Sequence, residues 1–524
     1  MSSQNISLVS EVLTISEGDH SEYYPINFNE SFLSSVKEIE DSGGNPTKKP
    51  RSLLVPILLC SMVAFGGFLL GWDVGTVGGI VNMKSFQKQF NLKYSSDSDN
   101  NDNLLIGLII SVFNIGCAIG GLLLAKLGDR YGRRGGIAVG VEVYIVGITV
   151  QVVYCKHWVG FFMGRFVAGL GIGSIAVLVP MLISENAPLA IRGAMVSIYQ
   201  MMITLGILIG NMVMYLCANK AKEYPNAASL WKQPIFLGFL WALILVAGII
   251  FSPESVPFLV NIKNDKLGAR KAFARMNGVS EFDNLTTNHI GELYKEEVDR
   301  DCKNGEANPA IKNTFEFING KPRLGFRLLT GIMVMIFQQL SGINYFFYYG
   351  TIIFKSVGLN DPYVTSLVLG TVNCISTLGG IYMVEALGRK ACLIIGSVGM
   401  FCCMVMYASV GFFTQASNLT GIVLVVVTCI YIIFFATTLG PVTFVLVSEL
   451  FPLRTKSVSI AVCTSFNWIF GFLISLLTPM IISRIGFLLG YFFAASLACS
   501  AIFAWYFIPE TKNRTEAQID KIYM

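Results

Sequence analysis

Residues 337–349 read "FQQLSGINYFFYY". Two glutamines, a serine and an asparagine precede a run of aromatic rings, inside a stretch otherwise apolar enough for hydrocarbon. Carboxamides both donate and accept hydrogen bonds, and they do so without the desolvation cost of a buried charge. That chemistry suits a neutral solute rich in hydroxyls, and aromatic faces complement the apolar C–H faces of a ring. Amides are also hydrogen-bonding glue between membrane helices, and the residues alone leave both readings open. At about 100° per residue from Gln338, the residues Tyr345, Ser341, Tyr348 and Asn344 fall at about −20°, −60°, −80° and −120°, on one arc of a helix. Gln339 lies about 100° away on the other side, so a straight helix cannot aim every polar atom at one point. Gly342 is where the helix can relax, and interrupted helices line polar cavities in membranes. Asp73, in "GWDVGTVGG", is the sharpest ionisable residue: it interrupts an apolar run and requires a partner there. Glu142 is a lesser candidate, bonded within the bundle.

The elements that must position these residues follow from composition. The chain has 524 residues, 53% hydrophobic and only 14% charged, against about 25% charged in ordinary soluble domains. Mean hydropathy is +0.61. An all-α membrane protein is expected, with twelve spans near 54–76, 104–125, 136–155, 159–183, 194–217, 233–252, 326–350, 364–385, 391–413, 421–447, 457–482 and 487–508. Basic residues cluster at alternate loops: Lys48, Lys49 and Arg51 before the first span, then Lys126, Arg130, Arg133, Arg134, Arg192, Arg389, Lys390, Arg454 and Lys456. The positive-inside rule puts these loops and both termini in the cytoplasm. Asp97, Asp99 and Asp102 sit in the first external loop, while Lys220, Lys222 and Lys232 mildly violate the rule. Residues 1–52 are polar, without the leading apolar core of a signal peptide, and read as a disordered cytoplasmic tail. Asn418 is the one glycosylation sequon on the expected outside, in a loop too short to favour modification.

Several classes are excluded on the same grounds. There is no phosphate loop and no metal-ligand cluster, and His20, His157 and His289 are scattered over polar segments. The twelve cysteines show no framework spacing and read as small packing residues. No enzyme, cofactor or nucleic-acid partner is therefore expected.

The chain also repeats itself. "YGRR" at 131–134 returns as "LGRK" at 387–390, 256 positions on (388 − 132). "PES" at 253–255 returns as "PET" at 509–511 at the same offset (509 − 253). "SENAPLAIRG" at 184–193 returns as "SELFPLRTKS" at 448–457, offset by 264 (449 − 185). Each pair falls on one side of the membrane, so two six-span halves, 53–252 and 326–508, share one orientation. The charged segment 253–325 links them through short amphipathic helices, and 509–524 forms a short cytoplasmic tail. Two similar halves invite a cavity between them, and solute transport is the natural reading.

"LGDRYGRR" resembles the signature loop of the major facilitator superfamily. With "SENAPLAIRG", "PES", "QQLSGIN", "EALGRK", "SELFPLR" and "PETK" in order, residues 54–515 resemble its sugar-porter family. "GWDVGTVGG", "FNIGCAIGGLLLAKLGD" and "NYFFYYGTIIFKSVGL" are similar to fungal hexose transporters. The resemblance implies a plasma-membrane hexose transporter working by alternating access and facilitated diffusion. Its substrates would be glucose and, by extension, fructose, mannose or galactose. The resemblance also implies sugar ligands at Gln338, Gln339 and Asn344, at Gln200 in "SIYQMMITLG", at Asn373 in "GTVNCISTLGG", and at Asn467 and Trp468 in "FNWIFG". Tyr348 and Tyr349 would be gate aromatics. Phe444 stands where many sugar porters have tryptophan, which keeps stacking and loses the indole N–H. Arg165 would partner Asp73, and a proton-coupled symporter using Asp73 is the alternative mechanism. Asp129, Arg130, Arg133, Arg134, Glu185 and Arg192 would latch one half at its cytoplasmic end, and Glu385, Arg389, Glu449 and Arg454 the other. Two departures stand out: "PESVPFL" replaces the family's usual "PESPR", and "NRTEAQIDKIY" departs from its common ending. A transporter-like sugar sensor is a remote alternative, since sensors resembling this family carry long cytoplasmic tails.

Overall fold

The computed structural model describes residues 54–91, 100–154, 156–188, 191–224, 227, 229–283, 286–288, 290–291, 293, 316–347, 362–414 and 417–524. Among these, every regular element is helical. Eleven helices among the described residues are long and apolar enough to cross a membrane, and a bent pair makes twelve if it counts as one span. That pair, Leu54–Ala64 and Gly66–Val81, is span one, bent by 40°. Spans two to six are Asn100–Leu123, Arg133–Val153, Trp158–Asn186, Arg192–Glu223 and Ser229–Phe251. Spans seven to nine are Leu324–Phe347, Pro362–Leu387 and Arg389–Phe413. Span ten is Leu419–Leu450, span eleven Leu453–Ile485 and span twelve Leu489–Phe507.

The sequence reading treats span ten as one continuous helix. The structure divides it into Asn418–Thr437 and Leu439–Leu450. Pro441 explains the division, because its ring would meet the carbonyl four residues back and it has no N–H to donate. It is tolerated in the first turn of the new helix, where that donor has no helical partner anyway. Span seven divides for a different reason: its helix stops at Leu340 and Gly342 takes a φ of +89°, a region that favours glycine.

Helices in lipid gain little from burying apolar surface against one another, so association depends on close packing and small residues. Gly71 of span one lies so near the Ile203 carbonyl of span five that no Cβ would fit, and Gly206 of span five faces Phe68 and Trp72 in return. Gly120 and Gly173 do the same between spans two and four. Between the halves, span two lies along span eleven and span five along span eight. Ser465 Oγ donates to the Ala118 carbonyl at 3.0 Å, and Asn211 Nδ2 to the Ser366 carbonyl at 3.1 Å.

The connecting segment carries the expected short helices at Val256–Asn261, Lys266–Asn277 and Glu316–Asn319. Ser255 and Asp265 cap the first two through bonds to Phe258 N and Gly268 N. The chain ends in a further helix, Glu516–Tyr523, opened by a capping box of Thr515 and Gln518. This helix is pinned to the base of span seven: Asp520 pairs with buried Arg327 at 2.7 Å, and the Arg327 guanidinium lies 4.9 Å from the Tyr523 ring centroid.

Candidate functional site

The break in span seven changes what the helical wheel implies. Gln339 and Asn344, on different sides of an ideal helix, meet: Asn344 Nδ2 donates to Gln339 Oε1 at 2.6 Å. Tyr345, on the expected polar arc, instead turns into an aromatic cluster with Phe346, Tyr407 and Phe493, and its hydroxyl lies 3.1 Å from that of Tyr407. The backbone resets its phase at Gly342, so residues beyond it no longer follow the register of those before. Tyr431 of span ten donates to the Ser341 carbonyl at 2.8 Å, satisfying an acceptor the broken helix leaves open.

Asn467 of span eleven ties the glutamines together. Its Nδ2 donates to Gln338 Oε1 at 2.7 Å and to the Met335 carbonyl at 3.0 Å, and its Oδ1 accepts from Gln339 Nε2 at 2.9 Å. Gln338 Nε2 reaches the Gly440 carbonyl at 3.4 Å, at the start of the second segment of span ten. Each link contributes about 1 kcal/mol net, but together they fix the orientation of four amides. Two of the expected sugar ligands carry buried polar atoms without a partner: Asn373 Oδ1 on span eight and the Trp468 indole N–H on span eleven. Such atoms are rare in a folded protein and call for an explanation. Gln200 is buried on span five, with its amide nitrogen near Gly440. Phe444 packs edge-on against Tyr199 at 5.8 Å between ring centroids. Gln338, Gln339, Asn344 and Asn467 are thus joined by hydrogen bonds, and Gln200 and Phe444 lie where span five meets span ten. Tyr348 and Tyr349 lie outside the described residues.

Asp73 has a partner. Arg165 Nη1 and Nη2 reach its two carboxylate oxygens at 3.1 and 2.9 Å, a paired fork that compensates a buried charge. The guanidinium also lies 5.1 Å from the Phe113 ring centroid. Glu142 is exposed on span three rather than bonded inside the bundle.

At the basic end, two ion clusters repeat. Arg133 binds Asp129 at 2.9 Å and Glu185 at 3.2 Å, while the backbone N–H groups of Arg133 and Arg134 donate to Glu254. Arg389 binds Glu449 at 2.7 Å and Glu385 at 3.5 Å, while Arg389 and Lys390 donate to Glu510. Ser255 Oγ donates to Glu185, and Thr511 Oγ1 to Glu449 at 2.7 Å. The expected "PES" and "PET" repeats are thus part of each cluster, and the sequence reading omits Glu254 and Glu510 from the latch although both motifs are quoted in it. The Arg134 side chain donates to the Ile249 and Ile250 carbonyls at the end of span six. Arg130 lies over the Tyr131 ring. Arg192 is not brought to Glu185: with Lys456 and Glu449 it lines a small cleft between the halves, and its buried Nε has no partner. The Arg454 side chain lies outside the described residues. Among the described residues no group of three or more His, Cys, Asp or Glu side chains is arranged to hold a metal.

Residues 59–523 match the family described as "Sugar (and other) transporter". Hexose transporter HXT14 of Saccharomyces cerevisiae is 49% identical over 483 residues, covering 90% of this chain and 89% of that protein. Hexose transporter 2 of Kluyveromyces lactis is 43% identical, over 91% of this chain and 84% of its own. Among solved structures, the proton:xylose symporter XylE bound to 6-bromo-6-deoxy-D-glucose superposes with a TM-score of 0.76 at 25% identity, over 90% of this chain and 99% of its own. The inward-open form of XylE from E. coli gives 0.66 at 24% identity, over 89% of this chain and 99% of its own.

Proposed function

Because the chain belongs to the sugar transporter family, we propose that it carries hexoses of the glucose type across the plasma membrane by alternating access between its two six-span halves. It is a multi-pass membrane transporter of the major facilitator fold and not an enzyme. The observation that carries the choice of site is the amide chain Asn344–Gln339–Asn467–Gln338, joined within the described residues by hydrogen bonds between spans seven and eleven. A hexose hydroxyl donates and accepts at once, so it can insert into the amide chain, and further hydroxyls would give Asn373 Oδ1 and the Trp468 N–H the partners they lack. Gln200 and Phe444 complete the site from spans five and ten, Phe444 through its ring face.

In this reading the basic end faces the cytoplasm, with both chain termini on that side. The ion clusters hold that end shut, and sugar enters from outside. Opening inward requires the clusters to part, so their strength must be modest for both states to be populated. The Asp73–Arg165 fork supports facilitated diffusion, because two charge-assisted bonds hold the carboxylate in place as a structural pair. A proton-coupled cycle through Asp73 is the second reading, favoured by the likeness to a proton:xylose symporter.

Labelled glucose uptake into cells lacking their own hexose transporters, with and without a protonophore, tests both. Uptake that equilibrates and ignores the protonophore is expected. Accumulation that collapses with the proton gradient would assign Asp73 the coupling role. Gln338→Ala and Asn344→Ala are expected to raise the KM for glucose about tenfold, the loss of one or two hydrogen bonds, with unchanged surface levels. Normal transport by both variants would overturn the site.

A further inference from the structure

The site described so far takes only Gln200 from the first half. A transporter that alternates access around one sugar needs contacts on both sides of the cleft, since a ligand held by one half alone does not report closure to the other. Span two offers a second contact. Asn114 is 2% exposed and sits where span two runs along span eleven, one turn from the bond between Ser465 and the Ala118 carbonyl that fixes their register. Its carboxamide makes no hydrogen bond within the described protein. Asn211 and Asn467, also on helices that meet across the bundle, both donate to neighbours.

The Asn114 amide lies close to Gly471. A Cβ built on Gly471 would lie 3.5 Å from Asn114 Nδ2 and 3.3 Å from Gln339 Oε1. The missing side chain at 471 therefore leaves a gap flanked by an amide of span two and an amide of span seven. Gln339 Oε1 already accepts from Asn344 and keeps its second lone pair for this gap.

Resting on the hexose reading above, we propose that Asn114 is a sugar ligand supplied by the first half, hydrogen-bonding one hydroxyl that Gln339 also contacts, and that Gly471 keeps the space for that hydroxyl open. Asn114 donates through Nδ2 or accepts through Oδ1, and either bond gives a partner to an amide that has none within the described residues. The bond would also couple span two to span seven when sugar is bound, which makes Asn114 a specificity residue for one position of the ring.

The experiment uses the full-length protein in cells without other hexose transporters. Inhibition of labelled glucose uptake is measured with each monodeoxyglucose in wild type, Asn114→Ala, Gly471→Ala and Ser111→Ala. Ser111 is buried on the same helix, but its hydroxyl reaches only its own backbone at the Leu108 carbonyl. Asn114→Ala is expected to raise the glucose KM about fivefold, the loss of one hydrogen bond, with the maximal rate within about twofold. It should also abolish the penalty for removing one particular hydroxyl while leaving the other penalties intact. Gly471→Ala is expected to raise the KM for glucose, and Ser111→Ala to change neither quantity. A uniform loss across all analogues, or a fall in maximal rate alone, would assign Asn114 to helix packing and overturn the proposal. If Asn114→Ala fails to reach the surface, an unchanged KM in Gly471→Ala overturns it instead. Absence of hexose uptake by wild type would remove the transport reading itself, an outcome distinct from both.

Discussion

Gly193 and Ser457 occupy equivalent places in the two halves, 264 positions apart (457 − 193), and each is where its half touches the other's ion cluster. At Gly193 a Cβ would collide with the Arg389 guanidinium and the Glu385 carboxylate, and the next residue, Ala194, donates its backbone N–H to Glu385 at 2.9 Å. At Ser457 the side chain itself makes the contact, donating to Asp129 at 2.9 Å. One half thus closes by bringing bare backbone against the cluster, the other by a hydroxyl reaching across. A side chain at 193 would have to displace the paired Arg389 and Glu385 tips, whereas a hydroxyl contact can be lost without a clash. The two sides of one gate therefore differ in how a substitution breaks them.

The clusters themselves set the largest expected effect. Arg133→Ala leaves Glu185, whose side chain is 1% exposed, with Ser255 as its remaining side-chain donor among the described residues. Removing one partner of so buried a pair costs about 3–5 kcal/mol. Arg389→Ala leaves Glu449, 8% exposed and still held by Thr511, and should cost less. Thermal unfolding of the purified proteins checks this: the loss in Tm should be larger for Arg133→Ala. Equal losses would show that the deeper burial of the first cluster carries no energetic weight.

Gly193→Val comes next. Its side chain displaces the Arg389 and Glu385 tips that fill this contact and so disfavours closure at the basic end, at about 2–3 kcal/mol by analogy with overpacked cores. That shifts the closed-to-open ratio on the order of 100-fold. Ser448 is buried and lines the closed cleft, so a cysteine introduced there reports the opening. Labelling of Ser448→Cys from the basic side should accelerate strongly in the Gly193→Val background. Ser457→Ala removes one hydrogen bond, about 1 kcal/mol, without a clash. Its labelling rate should rise only about fivefold, and an increase matching that of Gly193→Val would erase the distinction between the two contacts.

Both contacts were partly legible in the sequence. The offsets of 256 and 264 reveal the repeat because charged motifs stand out in an apolar chain. The spans were legible because about 20 apolar residues have few other uses. The partner of each charge was harder to read. Arg192 lies in a motif that suggests pairing with Glu185, yet it lines the cleft with Lys456 because span five begins there and aims the side chain across the halves. The amides of span seven were recognisable by type but not by direction, because periodicity assumes a continuous helix and Gly342 ends that continuity. Asn114 carried no signal beyond being a lone asparagine in an apolar run. Its surroundings come from span eleven, more than three hundred residues away in the chain.

The smallest expected effect is the pH response of the first cluster. Burial pushes the Glu254 carboxyl above its ordinary value, against the opposing pull of backbone bonds from Ser255, Arg134 and Arg133 and of the Arg133 charge. A carboxyl with a raised folded value binds its proton more readily in the native state than in the unfolded one. Its contribution to stability is therefore fully present below the unfolded value near 4.5 and is lost as pH rises through the folded value. Mild acidification from neutral pH should accordingly favour wild type relative to Glu254→Gln, which has no proton to gain. The measurement is the difference in Tm between the two proteins from pH 7 down to about 5, where the unfolded carboxyl is still largely ionised. A difference that moves toward wild type as pH falls supports a desolvated Glu254 under the first half. A difference that moves the other way would mean that the backbone bonds and Arg133 outweigh burial, and that the first cluster holds its carboxylate as a firmly charged group.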